Sequence, residues 1–295
     1  MAFQRIDSNF GNGPLSCAAW LYLPEKIEKP PIVVMAHGFA AERTFGLPAF
    51  AERFASAGLA VLLFDYRNFG DSQGEPRNWV SPARHLSDWK AALTHVRTLS
   101  QIDTKRIALW GSSFSGGHVI CTAAEESDIC AIVSQVPYVG GNTDVKPPLS
   151  FVVKYMWGLV LNKIKLALTG KPHYIPAVGK PGEFAIMTAP EAQDYWRLVP
   201  KNSTWKNRVP VSILKEIGHY QPIAIAHKVM CPALLVLAEQ DKITPPDPIR
   251  ECVRQLPKGE LLSIDTGHFK IYQGKGFEQT VAHELEFLLK HLKNQ

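Results

Sequence analysis

Short runs of apolar, mostly branched residues recur along the chain, and each is followed by turn-forming residues and then by a segment with helical periodicity. The runs predict strands at 30–38, 59–67, 106–111, 129–137, 231–241 and 259–265. The segments between them predict helices at 46–57, 82–100, 115–126, 246–255 and 275–292. Strands that alternate with helices are typical of a mostly parallel sheet covered by helices. Segment 17–25, which follows a Gly-Asn-Gly-Pro turn, predicts an antiparallel edge strand.

The alternation stops between residues 138 and 229. This stretch is rich in proline and contains a helical apolar segment at 150–168. Long loops without secondary structure are rare in compact domains. We therefore predict a mainly helical cap at 138–229, inserted into an α/β core formed by residues 1–137 and 230–295.

Composition narrows the class of protein. Of the 295 residues, 46% are hydrophobic and 20% are charged, which is typical of a globular chain with a sizeable core. The net charge of +5 is modest and the basic residues are scattered, so we expect no nucleic-acid binding. No apolar stretch is long enough to predict a membrane span, and the first residues lack the pattern of a signal peptide.

The cysteines and histidines carry no metal-binding pattern. The five cysteines are widely spaced and lie mostly in apolar runs, which indicates reduced core residues of a cytoplasmic protein. Neither Cys-x-x-Cys nor His-x-x-x-His occurs, so we expect neither a metal nor another cofactor. Whether the chain forms a homodimer is left open by the sequence.

Three serines surround a break between a predicted strand and a predicted helix, in "RIALWGSSFSGGHVI" (106–120). A nucleophile on such a turn is usually found in the pattern Gly-x-Ser-x-Gly. Ser113 has Gly111 two residues before it but Ser115 two residues after it, whereas Ser115 as nucleophile would lie inside the first helical turn. Small residues are needed on both sides of the turn, so the sequence favours Ser113 as nucleophile and gives Ser112 no role.

A serine nucleophile needs a histidine base held by a carboxylate, and with this turn the chain order is serine, acid, histidine. His268 follows the last predicted strand in a glycine-containing loop. Asp241, at the end of the preceding strand, is the residue that we favour as the acid. Glu239, at the end of the same strand, is the main alternative. Asp65 precedes Ser113 and so breaks the expected order, and we expect it to accept backbone hydrogen bonds in its own loop. Asp265 is three residues from His268, too close along one loop to reach its ring easily.

Acyl transfer also requires two N–H groups that stabilise the oxyanion. We assign one to Phe114, which follows the nucleophile, and the other to Phe39, where Gly38 lets the loop after an early strand bend. His37 is expected to brace this loop by hydrogen bonds rather than to act as a base.

The motifs "AHGFAAER", "FDYRNFGDSQG", "GSSFSGG", "AEQDKITPP" and "DTGHF", in this order and spacing, resemble the α/β-hydrolase superfamily over nearly all of the chain. Within it, the sequence is similar to small serine esterases and dienelactone-hydrolase-like enzymes, and to acyl transferases and thioesterases of polyketide pathways. The resemblance implies an eight-stranded, mostly parallel sheet and the catalytic roles assigned above. Ser115 in place of the second glycine is the one departure from the motif.

The predicted cap offers two hints about the substrate. Tyr138, Met156 and Trp157 are candidates for lining an acyl pocket, although packing of the cap onto the core explains apolar residues of this kind equally well. The cap also contains lysines without a neighbouring acidic residue, which indicate either an entrance for anionic substrates or an ordinary solvated face. These lysines are Lys146, Lys154, Lys163, Lys165, Lys171 and Lys180.

We therefore expect a small-molecule ester substrate and hydrolysis through an acyl-enzyme. A thioesterase or acyl transferase with the same triad, acting on acyl-CoA or carrier-bound acyl groups, is the alternative. A binding protein on a hydrolase scaffold is a third hypothesis, which the complete set of catalytic residues disfavours.

Overall fold

The computed structural model describes residues 1–140 and 148–293, and its centre is a sheet of eight strands. The strands are β1 (Phe3–Asp7), β2 (Ala19–Pro24), β3 (Pro31–Ala36), β4 (Ala60–Phe64), β5 (Asp103–Ser112), β6 (Ile129–Gln135), β7 (Ala233–Ala238) and β8 (Gly259–Ile264). Their spatial order is β1-β2-β4-β3-β5-β6-β7-β8. Strand β2 runs antiparallel to both of its neighbours, and the other neighbouring pairs are parallel. The predicted mostly parallel sheet is confirmed.

The described helices are α1 (Leu47–Ser56), α2 (Pro82–Val96), α3 (Phe114–Glu125), α4 (Leu149–Thr169), α5 (Ile213–Ile217), α6 (Pro246–Gln255) and α7 (Gly274–Lys293). Helices α1, α3, α6 and α7 pack on the sheet and α2 packs on α3, whereas α4 and α5 lie in the segment between β6 and β7. Every residue of β3, β4 and β7 is buried, which explains why these strands are continuous apolar runs rather than alternating ones.

The predicted edge strand is wrong in one respect: β2 is the second strand of the sheet, because β1 pairs outside it. Four of the five residues of β1 are exposed, so its sequence carries no apolar run that would predict a strand. A short hairpin that pairs Phe10–Asn12 with Leu15–Cys17 connects β1 to β2.

The parallel strands β3, β5, β7 and β8 all end at the same edge of the sheet. The loops that follow them carry Phe39, Ser113, Asp241 and His268. The carboxyl edge of a parallel sheet is where such folds collect residues from distant parts of the chain. The topology therefore brings the four predicted segments to one place.

Between β6 and β7, which are neighbours in the sheet, the chain forms a long excursion. Besides α4 and α5 it contains the 3-10 helices Pro190–Arg197 and Pro222–Lys228 and a two-stranded sheet of Tyr174–Ile175 and Val209–Pro210. Tyr195 Oη donates to the carbonyl of Phe39 at 3.3 Å, and Trp205 Nε1 donates to that of Ala40 at 2.7 Å. The excursion thus lies against the loop after β3. The division into cap and core at residues 138 and 229 stays a prediction.

The core contains a fully buried carboxyl group on α7. Glu284 of α7 is fully buried, and its Oε2 accepts a hydrogen bond from Trp110 Nε1 at 2.9 Å. Burial raises the pKa of Glu284 to about 8. The side chain is therefore largely protonated at neutral pH.

Candidate active site

Ser113 occupies a sharp turn between the end of β5 and the start of α3. Its backbone has φ +58° and ψ −118°, a conformation that residues other than glycine rarely adopt. The turn is held by hydrogen bonds from Ser113 N–H to the Gln135 carbonyl (2.8 Å) and from the Gly116 and Tyr138 N–H groups to the Ser113 carbonyl (2.9 Å each). Backbone strain of this kind is characteristic of functional positions.

The residues two before and two after Ser113 are packed against each other. A Cβ atom on Gly111 would lie 2.2 Å from the Ser115 carbonyl oxygen, so only glycine fits there. Ser115 is fully buried, and its Oγ lies 2.7 Å from Tyr66 Oη, which also accepts a hydrogen bond from Trp89 Nε1 at 3.0 Å. Ser115 is therefore part of a buried hydrogen-bond network that the sequence does not reveal.

Ser112 belongs to a second buried network. Its Oγ accepts a hydrogen bond from Gln135 Nε2 at 2.8 Å and also bonds to Tyr272 Oη. These contacts tie β5 to β6 and to the chain just before α7. Ser112 thus has a structural role, although sequence reasoning assigns it none.

Ser113, His268 and Asp241 form one hydrogen-bonded line. Ser113 Oγ lies 3.1 Å from His268 Nε2, and His268 Nδ1 lies 2.6 Å from Asp241 Oδ2. Ser113 is 8% exposed, and the other two residues are 1% exposed. With Nδ1–H donated to the carboxylate, the Nε2 lone pair is directed to the serine hydroxyl, the arrangement a general base requires.

Asp241 is fixed by its own loop. Its Oδ1 accepts the main-chain N–H groups of Ile243 (2.7 Å) and Thr244 (2.8 Å), and its Oδ2 accepts Thr244 Oγ–H at 2.8 Å. Burial works to raise the pKa of Asp241, but His268 and these hydrogen bonds outweigh it and hold the pKa below its usual value. The contact between Thr244 and Asp241 was predictable from the spacing Asp-x-x-Thr, since aspartate side chains often accept hydrogen bonds from the backbone a few residues further along the chain.

The rival carboxylates have other partners. Exposed Glu239 pairs with Arg250 and accepts a hydrogen bond from Ser263. Asp265 accepts Gln240 Nε2–H at 2.7 Å on the surface.

Asp65 is buried and forms an ion pair with Arg43. It also accepts the main-chain N–H groups of Arg43 (2.6 Å) and Asp71 (3.3 Å). The bond from Asp71 is the one expected within its own loop, whereas the contacts with Arg43 join Asp65 to the loop after β3 and were not expected from the sequence.

The two predicted oxyanion donors flank the nucleophile. Phe114 is the first residue of α3, and Phe39 follows Gly38, where a Cβ atom would lie 2.9 Å from Ser113 Cβ and 3.5 Å from its Oγ. Among the hydrogen bonds of residues 1–140 and 148–293, neither the Phe39 nor the Phe114 N–H has an acceptor. Two unengaged N–H groups beside a serine hydroxyl are what an oxyanion hole needs.

His37 lies below this loop and is fully buried. Its Nδ1 is 3.0 Å from the Gly38 carbonyl oxygen. Burial lowers the pKa of His37. The residue therefore braces the loop in its neutral form, as expected.

A small pocket with about 20 Å³ of free space adjoins Ser113 and His268. Its lining is mostly apolar and aromatic, and consists of Gly38, Phe39, Ala41, Phe45, Leu47, Ser113, Met187, Tyr195, Leu198, His268, Phe269 and Tyr272. Met187, Tyr195 and Leu198, from the excursion between β6 and β7, form one side of the pocket. Larger open clefts of about 440 and 670 Å³ lie elsewhere, and neither is lined by a triad residue.

The predicted substrate-binding residues lie outside this pocket. Tyr138 lines the 440 Å³ cleft next to Thr244, and its Oη donates to the Ile217 carbonyl at 2.8 Å. Met156 and Trp157 are exposed on α4, at 56% and 62%. Their assignment to the acyl pocket assumes that an apolar helix face packs inward, and α4 presents these side chains to solvent instead.

The cap lysines share this exposure where the structure describes them. Lys154, Lys163, Lys165, Lys171 and Lys180 are exposed, and Lys146 lies outside the described residues.

No metal site is formed by residues 1–140 and 148–293, since no three His, Cys, Asp or Glu side chains cluster as ligands. In the same residues, no helix is long and apolar enough to cross a membrane.

The chain is similar to known proteins over most of its length. A family model described as serine aminopeptidase S33 matches residues 28–270. The chain is 36% identical over 285 residues to the quorum-quenching protein AidA of Acinetobacter baumannii, covering 96% of this chain and 94% of that protein. It is 28% identical over 278 residues to the polyketide transferase af380 of Aspergillus fumigatus, with coverage of 92% and 93%. The crystal structure of the α/β hydrolase GrgF from Penicillium sp. shares the fold, with a TM-score of 0.86 at 23% identity over 98% of this chain and 99% of that one.

Proposed function

This chain belongs to the α/β-hydrolase family described as serine aminopeptidase S33, and on that premise we propose that it cleaves carboxylic esters through an acyl-enzyme on Ser113. The observation that carries the proposal is the hydrogen-bonded line from Ser113 Oγ through His268 to Asp241, next to two N–H groups without acceptors. A hydroxyl, a base and an oxyanion site together are the parts that acyl transfer requires.

In the first half of the reaction, His268 Nε2 takes the proton of Ser113 while Oγ attacks the ester carbonyl carbon. The carbonyl oxygen becomes an oxyanion and accepts hydrogen bonds from the N–H groups of Phe39 and Phe114. Asp241 remains ionised and stabilises the imidazolium that forms on His268. The intermediate then collapses, and the alcohol leaves with the proton from His268.

The second half repeats these steps with water. His268 removes a proton from water as it attacks the acyl-enzyme, and the same two N–H groups hold the second oxyanion. Collapse of this intermediate breaks the bond to Ser113 Oγ, which regains its proton from His268, and the carboxylic acid is released.

The pocket favours a compact acyl group. It is mostly apolar and small, so a compact acyl group requires less rearrangement of its lining than an extended peptide does. The family description names aminopeptidases, whose amide substrates would need the same triad, so an amide belongs among the substrates tested.

Acyl transfer from a thioester is the second candidate function. The similarity to a polyketide transferase over 92% of this chain favours it. It uses the same acyl-enzyme, and differs in that an alcohol or amine acceptor takes the place of water in the second half.

The deciding experiment compares wild type with Ser113→Ala on a panel of p-nitrophenyl esters, acyl-CoA thioesters and an amino-acid p-nitroanilide. We expect ester turnover to be fastest and to fall by about 10⁴-fold or more in Ser113→Ala. Ser115→Ala is the matched control, since it removes a hydroxyl from the same turn but not from the triad. Faster thioester turnover favours the second candidate, and faster anilide turnover contradicts both.

Labelling with a fluorophosphonate separates enzyme from binding protein. Wild type should be labelled at Ser113, and Ser113→Ala should not. Absence of labelling in the folded wild type would support a binding role on a hydrolase scaffold.

A further inference from the structure

Helix α4 presents an apolar face to solvent. Only Gly158 of its 21 residues is buried. Apolar side chains at Leu149, Val153, Met156, Val160 and Ile164 follow each other at spacings of three and four, and are 43–78% exposed. This spacing places them along one side of a helix about 30 Å long. We call these five residues the α4 stripe.

The opposite side of α4 holds the helix on the protein. A Cβ atom at Gly158 would lie 3.1 Å from Val211 Cγ2, and the ring of Phe151 packs against that of Phe184 with centroids 5.2 Å apart. Packing against the rest of the chain is therefore achieved without the stripe. A continuous row of five exposed apolar side chains on a folded protein indicates an interaction site.

The charged side chains of α4 are all positive: Lys163 borders the stripe, and Lys154 and Lys165 lie about 120–140° farther round the helix. Lys154, Lys163 and Lys165 of α4 and Lys171 just after it are exposed, and none of them forms an ion pair within the described residues. The sequence has no aspartate or glutamate between 149 and 182. Trp157, 62% exposed, lies beside the stripe. An apolar helix face with lysines and tryptophan is the composition of helices that lie in the surface of an anionic bilayer.

We propose that α4 binds the surface of a membrane containing anionic phospholipid, with the α4 stripe in the headgroup boundary and the lysines against lipid phosphates. The helix lies on the surface and does not span it, because charged residues interrupt every long apolar window of α4. This inference is independent of the reaction proposed for Ser113.

A second copy of the chain is a poorer occupant. Antiparallel pairing of two α4 helices about their midpoint would bring Lys154 of one copy close to Lys163 and Lys165 of the other, and parallel pairing would place each lysine beside its equivalent. No acidic residue of 149–182 is present to neutralise them. Like charges in contact oppose association, whereas phosphates of lipid would neutralise the same lysines.

The test is co-sedimentation of the full chain with vesicles of phosphatidylcholine alone and with vesicles in which about a third of the lipid is phosphatidylglycerol, the anionic component. We expect binding to the second kind only. Replacing Lys154, Lys163 and Lys165 by Gln should weaken binding by about fivefold per lysine. The triple variant Val153→Ser/Val160→Ser/Ile164→Ser should weaken it by more than about tenfold. Leu261→Ser is the matched control, because Leu261 is 41% exposed on β8 and should have no effect.

Three results would overturn the proposal. The first is failure of wild type to sediment with phosphatidylglycerol vesicles. The second is binding by the triple serine variant that equals wild type while its melting temperature is unchanged. The third is a lipid-free dimer, seen by sedimentation velocity, that the triple serine variant converts to monomer, since a second copy would then cover the stripe.

Discussion

Glu191 accepts a hydrogen bond from the main-chain N–H of His268, with its Oε2 at 3.3 Å, while its Oε1 accepts the main-chain N–H of Lys242. The residue lies in the 3-10 helix Pro190–Arg197, in the excursion between β6 and β7. One carboxylate thus connects that excursion to both loops that carry the acid and the base of the triad. Because Lys242 directly follows Asp241, the two hydrogen bonds of Glu191 help to fix the distance between Asp241 and His268.

We expect Glu191→Ala to lower kcat by about tenfold to a hundredfold, because a misplacement of catalytic groups by about 1 Å is enough for a hundredfold loss. KM should change little, since Glu191 does not line the pocket beside Ser113. Glu191→Gln keeps one carbonyl acceptor and should restore part of the loss. Asp194→Ala, on the same 3-10 helix, removes only a surface ion pair with Arg197 and serves as control. Equal kcat in wild type and Glu191→Ala would rule out a positioning role.

Gly38→Ala should reduce ester turnover by about a hundredfold or more. The added methyl group would lie 2.9 Å from Ser113 Cβ and 3.0 Å from the Ser112 carbonyl oxygen, so the loop with the Phe39 N–H must move away from the nucleophile. Loss of one oxyanion donor costs about 10²–10³ in kcat. Gly11→Ala is the control, because nothing lies within 4 Å of its added Cβ. A Gly38→Ala enzyme with wild-type kcat would contradict the oxyanion assignment of Phe39.

Ser113→Ala should lower activity, whereas Ser115→Ala should mainly lower stability. Ser115→Ala leaves the buried Tyr66 hydroxyl with only the hydrogen bond that it accepts from Trp89 Nε1, and its own O–H without an acceptor, so it should reduce the free energy of unfolding by about 1–3 kcal/mol. Its ester turnover should stay within about tenfold of wild type, because the triad remains intact. Urea unfolding and steady-state kinetics on both variants measure the difference. If Ser115→Ala were inactive and Ser113→Ala active, the nucleophile would be Ser115.

Glu284 should make the protein less stable as the pH rises from about 5 to 8. Its pKa is raised to about 8 in the folded state, so the folded chain keeps a proton that the unfolded chain releases near the ordinary value of 4.5. Stability falls with rising pH wherever the folded state binds more protons. Glu284→Gln retains an acceptor for Trp110 and has no charge to bury, so its unfolding midpoint in urea should change less over this pH range. Parallel pH dependences in the two proteins would show that Glu284 is not the cause.

The sequence predicted the parts of the site that depend on local chain geometry. The turn at Ser113, the strand end before Asp241 and the glycine loop before His268 are each visible in a few adjacent residues, and a parallel sheet brings strand ends together. Glu191, and the contact of Tyr66 with Ser115, were not predictable, because each joins segments at least 49 residues apart. The exposure of Met156 and Trp157 was not predictable either, because periodicity shows that a helix has an apolar face but not which way that face points.

The narrow pocket beside Ser113 limits the size of the acyl group that can bind without rearrangement. Its free space of about 20 Å³ holds roughly one water molecule, so a larger acyl group fits inside only when lining side chains such as Met187, Tyr195 or Leu198 move. Where they move, the observed affinity is reduced by the fraction of molecules in the binding-competent conformation. The length of the acyl chain therefore affects KM through this rearrangement as well as through the contacts made after it.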